Sequence, residues 1–134
     1  MPSYWIASIS GNDSLEARHI LEKMILQHHL FAFSHKTTMT DGDNICFYST
    51  FTKSIVARAT IISQAFEKSH GSRFPWTIKL SNISLCSAPQ MSGALVQHLD
   101  AFSHKNNNHW SWFVWRPHRI TEHDFNFLTS NNLQ

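Results

Sequence analysis

Gly42-Asp43-Asn44-Ile45-Cys46-Phe47-Tyr48-Ser49, then after a polar link Ser54-Ile55-Val56-Ala57-Arg58-Ala59-Thr60-Ile61, decides how this chain folds. Thr40-Asp41-Gly42-Asp43 has the composition of a turn, because glycine accepts positive φ and aspartate bonds back to nearby backbone. The two runs that follow are rich in Ile, Val, Phe and Tyr, side chains that suit a pleated, half-buried surface. Joined by Thr50 to Lys53, they read as a β-hairpin, with Asn44 to Ser49 pairing against Ser54 to Ser63. An isolated hairpin is marginal in water, so the pair needs a wider sheet to join.

The flanks supply that sheet. Tyr4 to Ser10 alternates as a first strand and stops at Gly11-Asn12. Asp13 with Glu16 three residues on is a capping-box pattern, and Leu15, Ile20, Leu21, Met24 and Ile25 recur at helical spacing to about His28. Leu30 to Phe33 is a short strand or extended loop. Phe74 to Leu85 is one long strand, or two joined by a bend near Ser81-Asn82. Ser87-Ala88-Pro89 opens a second helix to about Leu99, with proline near its first turn. Trp110 to Val114 is a strand, broken by Trp115-Arg116-Pro117-His118, and Thr121 with Asp124 caps a final helix through Leu128. Strands outnumber helices, and neither a repeat nor a linker interrupts them. The expected class is α+β: one domain over residues 1–134, a partly closed β-barrel with flanking helices.

Composition narrows function. The 134 residues suit one core, and with 42% hydrophobic and 15% charged residues the chain is not a disordered segment. Aromatics are abundant, with ten Phe, five Trp and two Tyr, so some are candidates for a surface or pocket. A formal net charge of +2 is well short of the basic stripe of a strong duplex binder, although ten histidines add positive charge below about pH 6.5. Cys46 and Cys86 sit in apolar strands and read as reduced, buried small hydrophobes. Met1 to Ile6 carries no basic leader pattern, and no stretch approaches the roughly 18 apolar residues of a membrane span. A soluble, cytoplasmic protein (nuclear in a eukaryote) with no membrane partner is expected.

Catalytic and metal signatures are missing from the sequence. It has no Gly-rich phosphate loop, no nucleophile elbow and no carboxylate cluster. His28-His29 diverge on a helix, and His118 and His123 stand without a Cys-x-x-Cys or His-Glu-x-x-His companion, so no metal and no cofactor are expected.

The order of motifs resembles the EVE domain family, one of the PUA-like barrels, alongside the YTH readers. The resemblance rests on Tyr4-Trp5-Ile6, on Gly42 to Ser49, on Ile55-Val56-Ala57-Arg58-Ala59-Thr60-Ile61, on Phe74 to Leu80, and on Trp110 to Val114 with Arg116 and Ile120 to Phe125. Ala57 replaces a frequent Gly of the family, and Phe31 and Phe33 stand where relatives often carry Trp. What the resemblance implies is a binder of a modified or flipped base in DNA or RNA, linked to restriction or defence, lacking chemistry of its own and borrowing an effector, either in cis or as an effector protein in trans.

Such a reader needs flat walls and edge hydrogen bonds: stacking contributes about 1–3 kcal/mol per base irrespective of identity, and edge contacts select. The candidates for walls are Trp5, Phe31, Phe33, Tyr48, Trp110, Trp112 and Phe113, with Ser49 at the edge. Either Trp110 and Trp112, or Ser111 and Phe113, face the pocket, since they alternate on a strand. His35, Lys36, Lys105, Arg116 and Arg119 are the phosphate candidates. Two other classes stay open. A protein-interaction subunit or inhibitor of a defence complex fits the low net charge, and a nucleotide or RNA hydrolase would draw on Ser49 and a loop histidine such as His35.

Overall fold

The computed structural model describes residues 2–9, 20–33, 37–50, 52–64, 66–67, 76–86, 117–130 and 132–133. Among the described residues there are eight strands: β1 (Tyr4–Ile9), β2 (Leu30–Phe33), β3 (Asn44–Ser49), β4 (Ser54–Ile61), β5 (Phe66–Glu67), β6 (Trp76–Cys86), β7 (His118–Ile120) and β8 (Asn132–Leu133). Helix α1 spans Ile20–Gln27 and α2 spans Glu122–Leu128. The strand order is β2-β6-β4-β3-β1-β7, with β5 and β8 added to β6.

The expected hairpin forms, β3 against β4, with Ile45 opposite Ala59 and Phe47 opposite Ala57. Gly42 has φ 97°, which explains glycine there, and the turn is closed by Gly42 N–H donating to Ile61 O at 2.8 Å and Ile61 N–H to Asp43 O at 2.7 Å. β1 then joins β3 in parallel, Trp5 beside Ile45, and β7 joins β1 antiparallel, Trp5 beside Arg119. The Pro117-His118 break expected from sequence is therefore the start of an edge strand. Its three residues are too few to show periodicity.

β6 curls the sheet. Its first half pairs with β2, Leu30 opposite Lys79, and its second half pairs with β4, Ala57 opposite Leu85. Between them Asn82 takes φ 50° where the register with β4 shifts, which is the bend expected at Ser81-Asn82. α1 is wound wide, with His28 N–H reaching Lys23 O at 3.1 Å, and His29, at φ 57°, ends it and accepts from Leu80 N–H at 2.8 Å. α2 begins as read: the Thr121 hydroxyl oxygen accepts from Asp124 N–H at 3.1 Å.

One face of the sheet holds the main core, where Trp5, Ala7, Ile9, Ile45, Phe47, Ala57, Ala59 and Ile61 meet Ile25, Phe31, Phe33, Met39, Ile78 and Leu80. The other face is covered too. Ile6, Cys46, Ile120, Phe125 and Leu128 are buried outside that cluster, and the Tyr4 and Phe125 rings meet at 5.2 Å between centroids. α2 thus seals the face that a simple alternating strand would leave to water. The second expected helix, the Trp110 to Val114 strand and the first part of the first helix lie outside the described residues.

Candidate nucleic-acid interface

Asp43 organises the described part of the site. Its carboxylate is buried and accepts three hydrogen bonds: from Ser3 N–H at 2.9 Å, from the Trp5 indole Nε1–H at 3.0 Å and from Thr40 N–H at 3.1 Å. The Gly-Asp turn therefore fixes more than the hairpin, because it also locks the orientation of an aromatic on β1. Sequence reading treated Asp43 only as a turn residue. An acidic side chain at the mouth of an apolar strand was the available signal.

Trp5 is 7% exposed and belongs to the core, and over its ring lies the Arg119 guanidinium, 5.3 Å from the centroid. Arg119 itself is exposed. Register explains the meeting, since facing residues of paired strands project to one side and Trp5 and Arg119 face each other across β1 and β7. A guanidinium over an indole is attracted by the ring's negative face. Trp5 and Arg119, a wall candidate and a phosphate candidate, are the pair that the fold brings together.

The other candidates are placed differently. Phe31 and Phe33 touch edge-on at 5.2 Å, and Phe31 meets Phe47 at 4.9 Å, so these rings are occupied largely with one another. Tyr48 lies in register with Ser8 and Ile55, whereas Ser49 aligns with Ile9 and Ser54, so the two neighbours project to opposite faces. Burial raises the Tyr48 phenol above its ordinary value. The Ser49 hydroxyl oxygen accepts from Thr52 N–H at 3.3 Å and so caps the hairpin link. Trp110, Trp112, Phe113, His35, Lys36, Lys105 and Arg116 lie outside the described residues.

Both cysteines are free and buried. Burial, reinforced by Cys86, pushes the Cys46 thiol far above its ordinary value of 9.0, and burial raises Cys86 with Arg58 pulling the other way. The native state therefore holds these protons more tightly than the unfolded chain does. Their contribution to stability is complete below about pH 9 and is lost as the pH climbs past it, where the unfolded thiols ionise first. We expect the urea midpoint to fall above that pH in the wild type and to fall less in Cys46→Ala, as read by denaturation at stepped pH. Native Cys46 should also stay unlabelled by a thiol reagent at pH 8 until urea is added. Among the described residues no group of three or more His, Cys, Asp or Glu is placed to hold a metal, and no helix is long and apolar enough to cross a membrane.

The molecule is a curled half-barrel of mixed strands with short helices, a PUA-like fold. Two of the solved structures that share it are as follows. The NMR structure of Rpa0253 from Rhodopseudomonas palustris matches with a TM-score of 0.55 at 18% identity, over 96% of this chain and 91% of that one. The YTH domain-containing protein mmi1, in a complex with RNA, matches with a TM-score of 0.51 at 12% identity, over 96% of this chain and 80% of that one. At such identities the likeness is one of fold. No family model and no curated protein matches the sequence.

Proposed function

We propose that this chain is a nucleic-acid-binding module, without chemistry of its own, that receives an extruded and modified base of DNA or RNA at the mouth of the half-barrel. The observation that carries the reading is the Arg119–Trp5–Asp43 stack. Hydrogen bonding to Asp43 fixes the indole, and the indole supports the guanidinium from one side. Among the described residues no carboxylate pairs with Arg119, so its N–H edges are available to the two oxygens of a phosphate. An arginine ordered before binding loses less rotamer freedom on contact, which favours affinity. The likeness of fold to a YTH domain solved with RNA supports a nucleic-acid partner. His35, Lys36, Lys105 and Arg116 are the further phosphate contacts in this reading, Trp110, Trp112 and Phe113 the stacking walls, and an effector protein acts in trans.

Fluorescence anisotropy on short DNA and RNA strands, plain and methylated, tests it. A buried methyl is worth about 0.8 kcal/mol, so the methylated strand should bind roughly fourfold tighter than its plain twin. Arg119→Ala should weaken both by about tenfold and reduce the salt slope by about one. Equal affinity for modified and plain strands would remove base recognition from the proposal. Absence of binding to every strand would remove the nucleic-acid function altogether.

A further inference from the structure

A second polar feature lies on the opposite face of the sheet from Trp5 and Arg119. It is a cleft of about 180 Å³ lined by Asn44, Arg58, Ala59, Thr60, Asn82 and Phe125. The strand register builds it: Asn44 faces Thr60 across β3 and β4, and Arg58 stands between Cys46 on β3 and Ser84 on β6. The shift of register after Arg58 puts an extra residue into β6, and Asn82, at φ 50°, occupies that irregularity at the cleft's rim. Bulges of this kind re-aim side chains and open the ladder locally. An asparagine held in the left-handed region is a local strain kept by its surroundings.

The chemistry of the lining is one-sided. Arg58 is half-buried, and among the described residues no carboxylate pairs with it. None of the six lining residues is acidic. The Thr60 hydroxyl donates to Asn44 Oδ1 at 3.5 Å, which occupies the amide oxygen and leaves the Asn44 NH₂ to point elsewhere. The lining thus brings the Arg58 guanidinium together with two amide-bearing residues, Asn44 and Asn82, and with Phe125. A guanidinium beside side-chain amides, with no acidic residue in the lining, suits an acceptor-rich anion. The volume is below the roughly 300–1,000 Å³ of pockets that enclose drug-sized ligands, so it takes a group and not a whole molecule.

We propose that this cleft binds a phosphate group, held by the fork of Arg58 and the side-chain amides of Asn44 and Asn82. It is separate from the base site and does not rest on it.

The test is a ¹⁵N NMR titration with inorganic phosphate in chloride buffer at matched ionic strength, and a parallel one with adenosine 5′-monophosphate. Saturable shifts are expected at Asn44, Thr60 and Asn82 and at Arg58 Nε. Arg58→Gln should weaken phosphate binding by about tenfold or more, and Arg58→Lys, which keeps the charge but loses the fork, should fall between. Tighter binding of the mononucleotide assigns the phosphate to a nucleotide, and equal binding assigns it to any phosphomonoester; both support the site. Shifts that chloride reproduces, or phosphate affinity unchanged in Arg58→Gln and Arg58→Lys alike, would overturn it.

Discussion

Asp43→Ala is expected to lower the unfolding free energy by about 3–5 kcal/mol, a large part of the 5–15 kcal/mol typical of a domain. The carboxylate receives three N–H donors, and hydrogen bonds to a charged group contribute about 1.5–3 kcal/mol each. They do not simply add. Thr40 is exposed and Ser3 half-exposed, so their amides find water after the change, while the Trp5 indole is buried and does not. The main cost is thus one orphaned indole N–H together with the loosened turn that leads into β3 and its tie to the start of β1. Asp43→Asn keeps an acceptor oxygen and should cost about half as much. That milder variant carries the functional consequence: with Trp5 less firmly held, Arg119 loses part of its platform and oligonucleotide affinity falls in the direction of Arg119→Ala. Urea unfolding and anisotropy on the same preparations read both effects. A loss under about 1 kcal/mol in Asp43→Ala would show that water, and not protein, had been satisfying the carboxylate.

Phe47→Ala should cost about 3–5 kcal/mol, the usual range for removing a buried aromatic ring. Phe47 is fully buried, and its strand neighbours in register are Ala7 on β1 and Ala57 on β4. Two alanines make room for one ring, and neither can expand to fill the cavity once the ring is gone. Phe31, 4.9 Å from it between centroids, loses its partner as well. In thermal unfolding such a loss corresponds to roughly 10–20 °C for a chain of this size. The converse change, Ala57→Val, adds bulk against the ring and should cost about 1–3 kcal/mol by overpacking. If Phe47→Ala and Phe47→Leu proved equally mild, the ring would not be the keystone of this core.

The locally encoded elements were legible because their causes lie within a few residues. The Gly42 turn, the β3–β4 hairpin, the Thr121 cap of α2 and the bend near Asn82 each follow from turn chemistry, capping or strand composition read in place. The candidate site was legible only in part. Arg119 was recognisable as a phosphate contact by residue type, and Trp5 as an aromatic of note, but nothing near either one indicates that they meet. Their contact depends on β7 pairing with β1 across more than a hundred residues. Tyr48 and Ser49 illustrate the same limit at close range: alternation alone sets them on opposite faces, but which face each meets follows from the pairing of β3 with β1 and β4.

By itself the sequence determined the strand-rich class, the hairpin, the start of α2 and the supply of aromatic and cationic side chains, because these depend on backbone preferences and spacing within one segment. Tertiary structure alone decided the parallel placement of β1, the curl of β6 and the covering of the sheet's second face by α2. It also decided that Asp43 anchors Trp5, that Trp5 supports Arg119 and that Arg58 lies among amides. Each of these requires groups distant in the chain to be brought within hydrogen-bonding or stacking range, and that closeness is a property of the packed core, not of any local run of residues.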